Sequence, residues 1–153
     1  MRVLKLFTYN WEVRNDWIEW CEGISYEELV KERTGGMKSL LQNLYHVINC
    51  EHLWVSHMLG EPVERIEVST LEEVKAFSKR TKERTLRFLE GYEKEANDVL
   101  ALTGKDGQER TFPFEQVLYH IITHEVHHIG QVSVWAREMD RKPVRTDLIA
   151  REY

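Results

Sequence analysis

The chain is poor in the residues that staple, break or anchor a polypeptide. Only two cysteines, Cys21 and Cys50, occur in 153 residues, and they form no CxxC pair. No disulfide framework is therefore expected, and a reducing, cytoplasmic setting fits best. Three prolines, Pro62, Pro113 and Pro143, leave long stretches free to run as helix. No apolar run approaches the roughly 18 residues that a membrane span requires. The opening segment, Met1 to Phe7, soon meets Asn10, Glu12 and Arg14. It has neither the apolar core nor the small-residue cleavage site of a signal peptide. Positive charge is not in excess either: the net charge is -5, and bases alternate with acids, as in Lys79, Arg80, Lys82, Glu83 and Arg84. Such mixing reads as a solvated helix face, so neither nucleic acid nor membrane is an expected partner.

Against these absences stands a balance of 42% hydrophobic and 31% charged residues, which is that of one soluble domain covering 1–153. Helical periodicity predicts a first helix over about 3–21, with Leu4, Phe7, Trp11, Ile18 and Cys21 on one side. Ser25 and Glu28 form a capping-box pattern for a short helix before Gly35-Gly36. A second long helix is expected over 37–59, closed by Gly60 and Pro62. Thr70 and Glu73 open a third, running to about 96–100, with Val74, Phe77, Thr81, Phe88, Leu89, Tyr92 and Ala96 inward. Gly104-Lys105-Asp106-Gly107 is a turn signal between two short apolar stretches and is compatible with a small hairpin. A fourth helix, capped by Thr111 with Pro113 in its first turn, should reach about 139, followed by an extended polar tail. Four such helices with short connections predict an all-α fold: a four-helix bundle with a small hairpin or loop between helices three and four.

The richest short stretch is His124-Glu125-Val126-His127-His128, three of the chain's seven histidines within five positions. Imidazoles four residues apart on a helix share a face, within reach of one divalent ion at about 2.0–2.1 Å. At about 100° per residue, the apolar arc of Val117, Leu118, Ile121, Ile122, Ile129, Val132, Trp135 and Met139 takes in His128 and, at its edge, His124. His127 points away and His120 lies further toward solvent. Two inward imidazoles need a shared partner to offset their desolvation, which argues for a metal rather than two unrelated core histidines. The third ligand must come from elsewhere, and the second long helix offers His46, Cys50, His52 and His57. Of these, His46, Cys50, Leu53 and His57 form a seam at intervals of four, three and four. Spacing alone does not choose among them. Glu51 and Glu125 fall inside the apolar arcs. Glu125 could orient a ligand histidine, move protons or serve only in a structural hydrogen bond.

His124-Glu125-x-x-His128 also matches the zincin protease motif, in which the glutamate is the general base. The longer metzincin form would need glycine where Gln131 stands, and no substrate-holding strand is expected beside this helix.

Several stretches together resemble the DinB-like (DinB/YfiT) family of metal-binding four-helix bundles across nearly the whole chain. They are Tyr9-Asn10-Trp11; Ser39-Leu40-Leu41 leading to His46, Glu51, Trp54 and Leu59-Gly60; His124 to Gln131, ending His-Ile-Gly-Gln; and Pro143 to Ile149. The resemblance implies His46, His124 and His128 as the metal ligands. Zinc and nickel both suit such imidazole ligands, and the sequence does not choose between them; the resemblance implies a low-molecular-weight thiol, such as bacillithiol or mycothiol, as cosubstrate. The activity so implied is thiol transfer to an electrophilic small molecule in detoxification or stress response.

Three imidazoles leave part of a divalent ion's shell open, which favours chemistry over a structural role. A hydrolase that activates water is the alternative reading. A non-catalytic metal-stabilised bundle is another, with a homodimer formed through Trp17 and Trp20 on the first helix. Gly130, inside the fourth helix, is expected to mark a close helix approach or a ligand beside the metal. The tryptophans are expected to fill the core or line a substrate pocket.

Overall fold

The protein is described by a computed structural model, which covers residues 2–92 and 98–152. Its elements are α1 (Arg2–Glu22), α2 (Tyr26–Val30), α3 (Leu40–Leu59), α4 (Leu71–Gly91), β1 (Val99–Thr103), β2 (Glu109–Pro113) and α5 (Phe114–Glu138), with a 3₁₀ turn at Leu148–Ala150. The long helices α1, α3, α4 and α5 build the expected all-α bundle. β1 and β2 form the small antiparallel hairpin, with Leu100 opposite Phe112 and Thr103 opposite Glu109. Among the described residues, no helix is long and apolar enough to cross a membrane.

Local chemistry sets most boundaries. Ser25 Oγ accepts the Glu28 amide, Ser39 Oγ that of Gln42 and Thr70 Oγ1 that of Glu73, so each caps a helix start. Gly60, at φ 67, ends α3 in the left-handed region. Three expected boundaries are corrected. α3 begins at Leu40 rather than 37, because Lys38 takes φ 70 and Ser39 is the cap. α4 ends at Gly91, and Val99 and Leu100 belong to β1; Ala96, expected on the inner face, lies outside the described residues. Thr111 does not cap α5. It pairs with Ala101 in the hairpin, and α5 starts directly after Pro113, where the Phe114 amide donates to the Asp98 carbonyl.

The buried side chains fall into two apolar clusters. One holds Trp17, Ile18 and Cys21 of α1, Leu40 to Ile48 of α3, Val74 and Phe77 of α4, and Ile129 to Ala136 of α5. The other holds Phe7 and Trp11, Val55 and Met58, Leu89, and Val117 to Ile122. Along α1 and α5 the chain passes from the second cluster to the first, and along α3 and α4 it passes the opposite way. The helices therefore run in two parallel pairs, and the link between α3 and α4 must travel the length of the bundle.

That link is residues 60–70, an extended run rather than the short connection expected. At about 3.3 Å per residue it spans the roughly 30 Å of a 20-residue helix. It lies antiparallel against α3: Tyr45 Oη donates to the Ile66 carbonyl at 2.6 Å, and His52 Nε2 pairs with the Glu64 carbonyl at 3.0 Å. His52 is thus occupied in holding the crossover.

The tail folds back over the outer face of α1. Trp20 Nε1 donates to the Lys142 carbonyl, Tyr9 Oη to Thr146, and Arg151 pairs with Glu12 and Asp16. Trp17 is fully buried in the first cluster. The tryptophans expected to face a partner subunit are therefore used inside the monomer, one in the core and one under the tail.

Candidate metal centre

Between the two apolar clusters lies a polar belt of Asn10, Arg14, Glu51, Thr81, Thr85 and Glu125, all buried. Arg14 is its centre. Its Nη2 donates to Glu51 Oε2 and to Glu125 Oε2, each at 2.6 Å, and its Nε donates to Glu125 Oε1 at 2.8 Å. Thr85 Oγ1 and Trp11 Nε1 donate to Glu51 at 2.6 and 3.1 Å. Asn10 Nδ2 donates to Glu125 at 3.3 Å and to the Ile122 carbonyl at 3.1 Å. Burial opposes the Arg14 charge, but the two carboxylates outweigh it and hold the guanidinium above its ordinary pKa. Glu125 is thus committed to Arg14, in the structural role that was one of its three readings. A zincin-type general base needs a carboxylate free to meet water at the metal, and this one is not. Arg14 escaped notice in the sequence, yet Phe7, Trp11, Arg14, Ile18 and Cys21 recur at intervals of four, three, four and three, which places it in the buried stripe.

One turn away, toward the seam between α3 and α5, the histidines converge. His46 from α3 and His124 and His128 from α5 offer ligand atoms that all lie within 4.8 Å of one another. His46 Nε2 and His124 Nε2 are 3.0 Å apart. Ring centroids are 4.8 Å apart for His46 and His124, and 4.6 Å apart for each pair with His128. Two nitrogens of one tetrahedral ion would stand about 3.3 Å apart at ordinary zinc–imidazole distances, so the donor set fits a metal. The three rings are half-buried. Burial first, then His128 and His46, lower the His124 pKa to about 4, and burial with His128 also lowers that of His46. The lowered values keep His46 and His124 neutral at physiological pH, as ligand imidazoles must be.

The remaining candidates fall outside it. His127 and His120 are exposed on α5, as the helical wheel expects. Cys50 does not join the cluster, and burial, followed by Glu125 and Glu51, pushes its thiol up to about 12. His57 stands beside Trp54, with ring centroids 6.3 Å apart, and Trp54 also meets His120 at 5.6 Å and Phe112 at 6.2 Å. Because His120 in turn meets His124 at 5.7 Å, this aromatic group adjoins the histidine cluster. Trp54 is the half-buried tryptophan beside the cluster, whereas Trp11, Trp17 and Trp135 fill the core.

Supports for His128 went unforeseen. Its Nδ1 donates to Gln131 Oε1 at 2.8 Å, which leaves Nε2 free as a donor atom toward the cluster. Asn43, fully buried, donates from Nδ2 to the His128 carbonyl at 2.8 Å and accepts the Met37 amide at Oδ1, 3.1 Å. The loop before α3 closes over both amides. A Cβ on Gly36, at φ 50, would come within 2.7 Å of Gln131 Oε1 and 2.8 Å of Asn43 Oδ1, so only glycine fits there. Gly130 has no comparable role: a Cβ on it meets nothing within 4 Å, and the close helix approach expected there does not occur in the monomer.

A bundle with parallel helix pairs, a full-length crossover and a cluster of three histidines defines the class: an all-α domain built around a site compatible with a divalent metal. The chain belongs to the DinB family, whose family model matches residues 1–153. It is also 36% identical over 153 residues to the uncharacterized protein YizA of Bacillus subtilis (strain 168), a match covering 97% of this chain and 95% of that protein.

Proposed function

We propose that His46, His124 and His128 bind a divalent cation, zinc or nickel, and that the protein is a metal-dependent transferase. It would join a low-molecular-weight thiol to an electrophilic small molecule in the cytoplasm, in detoxification or stress response. The observation that carries this reading is the convergence of three imidazoles with no cysteine or carboxylate completing the set among the described residues. Structural zinc sites ordinarily take four protein ligands, whereas catalytic ones take about three and leave a position for a reactant. A cation held by three uncharged ligands also keeps its full charge, which favours an anionic fourth neighbour such as a thiolate.

When bound, the ion supplies Lewis acidity and an exchangeable position for a thiol sulfur. The chain's own residues provide the rest. Gln131 and Asn43 fix the ring and backbone of His128, so that donor atom is held before any ligand arrives. Trp54, His57, His120 and Phe112 give an aromatic wall beside the cluster on which an organic substrate can stack. Sulfur then forms the new bond to the electrophilic carbon, the thiol proton passes to solvent, and the leaving group departs with its electron pair. Cys50 cannot replace the external thiol, because its raised pKa keeps it protonated.

The test is metal analysis of the purified protein, followed by conjugation of a chromogenic electrophile with and without thiol. Activity that needs both metal and thiol supports the transferase. Ester or amide cleavage without thiol replaces it with a hydrolase, the second reading. Failure to take up zinc or nickel after reconstitution removes the metal site and both activities with it.

A further inference from the structure

We infer that the protein binds a phosphate group, free or as a small monoester, in a cavity between the crossover and α4. The cavity measures about 300 Å³, the small end of ligand sites. It opens on the α3–α4 side of the bundle, whereas the histidines converge on the α3–α5 side. Arg80, Arg84 and Arg87 line it from α4, at intervals of four and three that set all three on one face over about 10 Å. Buried His52 and Thr81 line it on the inside, and Glu61 and Glu64 line it from the crossover.

Thr81 is 2% exposed, and its Oγ1 is buried without a hydrogen-bond partner. A threonine inside a helix can return its hydroxyl to the carbonyl one turn back, as Thr8 and Thr123 do here. Thr81 does not, so its hydroxyl is left for a group that enters the cavity. Arg87 is exposed and makes no ion pair among the described residues. The other two arginines are engaged by the crossover. Arg80 meets Glu64 at 3.4 Å with both side chains more than half exposed, and Arg84 meets Glu61, itself 53% exposed. Exposed pairs of this kind add little to stability. With Glu83, which also lines the cavity, three acids balance three arginines, so an anion enters by exchange with the crossover carboxylates. That exchange selects the ligand. A single carboxylate only repeats what Glu61 and Glu64 supply. A phosphate brings a charge of about −1.5 to −2 at neutral pH and three strong acceptor oxygens, enough to engage the three guanidiniums and Thr81 Oγ1 together.

This site and the histidines lie on different sides of α3, so either can fail alone. Isothermal titration of the full chain at neutral pH and fixed ionic strength, with inorganic phosphate and separately with glycerol phosphate, should show one site per chain. Tighter binding of the first assigns the site to the free ion, and of the second to an ester. Arg87→Gln should weaken binding about tenfold or more, the scale of a hydrogen bond to a charged group. Thr81→Val should weaken it several-fold, with an unchanged helical circular-dichroism spectrum. Glu61→Gln should do the reverse and tighten it several-fold, because it removes a competing carboxylate, and a folding defect does not mimic that gain. Affinity should be the same whether the histidines are stripped of metal or loaded with nickel. Binding lost on stripping would place the anion at the histidines and overturn the proposal. So would binding that Arg87→Gln or Glu61→Gln leaves unchanged, or no saturable binding of either probe below about 1 mM, the weak end of specific association.

Discussion

The two polar groups inside the bundle share helices α3 and α5 but follow opposite rules. In the belt, Glu51 and Glu125 share one guanidinium, wholly buried, with Trp11, Thr85 and Asn10 supplying further donors. In the histidine cluster the groups are half-buried and turned toward one another without an acid among them, and burial holds the His124 and His46 pKa values down. His124 Nδ1 has no partner among the described residues. Chain neighbours His124 and Glu125 fall on different sides of this divide because one residue turns the helix by about 100°. Glu125 reaches the bundle axis and Arg14, while His124 reaches the seam with α3. A buried charge cluster that satisfies itself is a structural device. An acid-free cluster whose lone pairs face each other favours an added cation.

If the belt is the structural member of the pair, its disruption has the largest effect. Arg14→Met should cost about 3–5 kcal/mol of folding stability, because it strands two carboxylates in the core. Urea unfolding measures this. Replacing all three charged groups together, with Glu51→Met and Glu125→Leu added, should recover much of the loss, since an apolar set has no charge to desolvate. A loss under about 1 kcal/mol from Arg14→Met would mean that water reaches the belt and that the contrast drawn above is false.

The contrast also explains what could be read without coordinates. Helical periodicity located the long helices, and the wheel of α5 turned His124, His128 and Glu125 inward and His127 outward, as the structure has them. A wheel refers each residue to a single core direction, however. His46 lies off the axis of α3 because it faces one neighbour, α5, so periodicity left it level with His57 and Cys50, and resemblance to a family separated them. Arg14 was hidden by its residue type, although its spacing matched its apolar neighbours. Trp17 and Trp20 were misread for a related reason: no wheel shows that a tail from 130 residues later will cover the outer face of α1. Gln131 and Asn43 depend on a loop, residues 34–38, whose path has no periodic signal.

On the histidine side, the sharpest comparison is between residues of one helix. His124→Ala, and equally His46→Ala, should lower zinc affinity by more than the 10–100-fold typical of removing an outer partner. His127→Ala, three residues further along α5, should leave it nearly unchanged. Gln131→Leu belongs between them, about 10–100-fold weaker, because His128 keeps its place on the helix but loses the bond at Nδ1. Competition with a chromogenic chelator reads all four. Equal losses at His124 and His127 would dissolve the facing argument. Unaltered binding after His46→Ala would remove α3 from the site.

The smallest effect is the pH dependence of the metal-free protein, and its sign follows from the lowered pKa of His124. An unfolded His124 takes up its proton near 6.5, whereas burial and the neighbouring His128 and His46 hold it to about 4 in the fold. Between those values the unfolded chain binds more protons, so folding stability is complete above pH 6.5 and declines as the pH falls toward 4. Screening of a half-exposed ring limits this share to about 1–2 kcal/mol. His124→Gln should flatten the slope in that window, and the difference between the two urea-unfolding profiles measures it. In the belt, burial raises the Glu125 pKa despite Arg14, which tilts stability the opposite way, so the difference between wild type and His124→Gln, not the absolute slope, is the readout. An undiminished slope in His124→Gln would assign the acid sensitivity to other groups and deny His124 its lowered pKa.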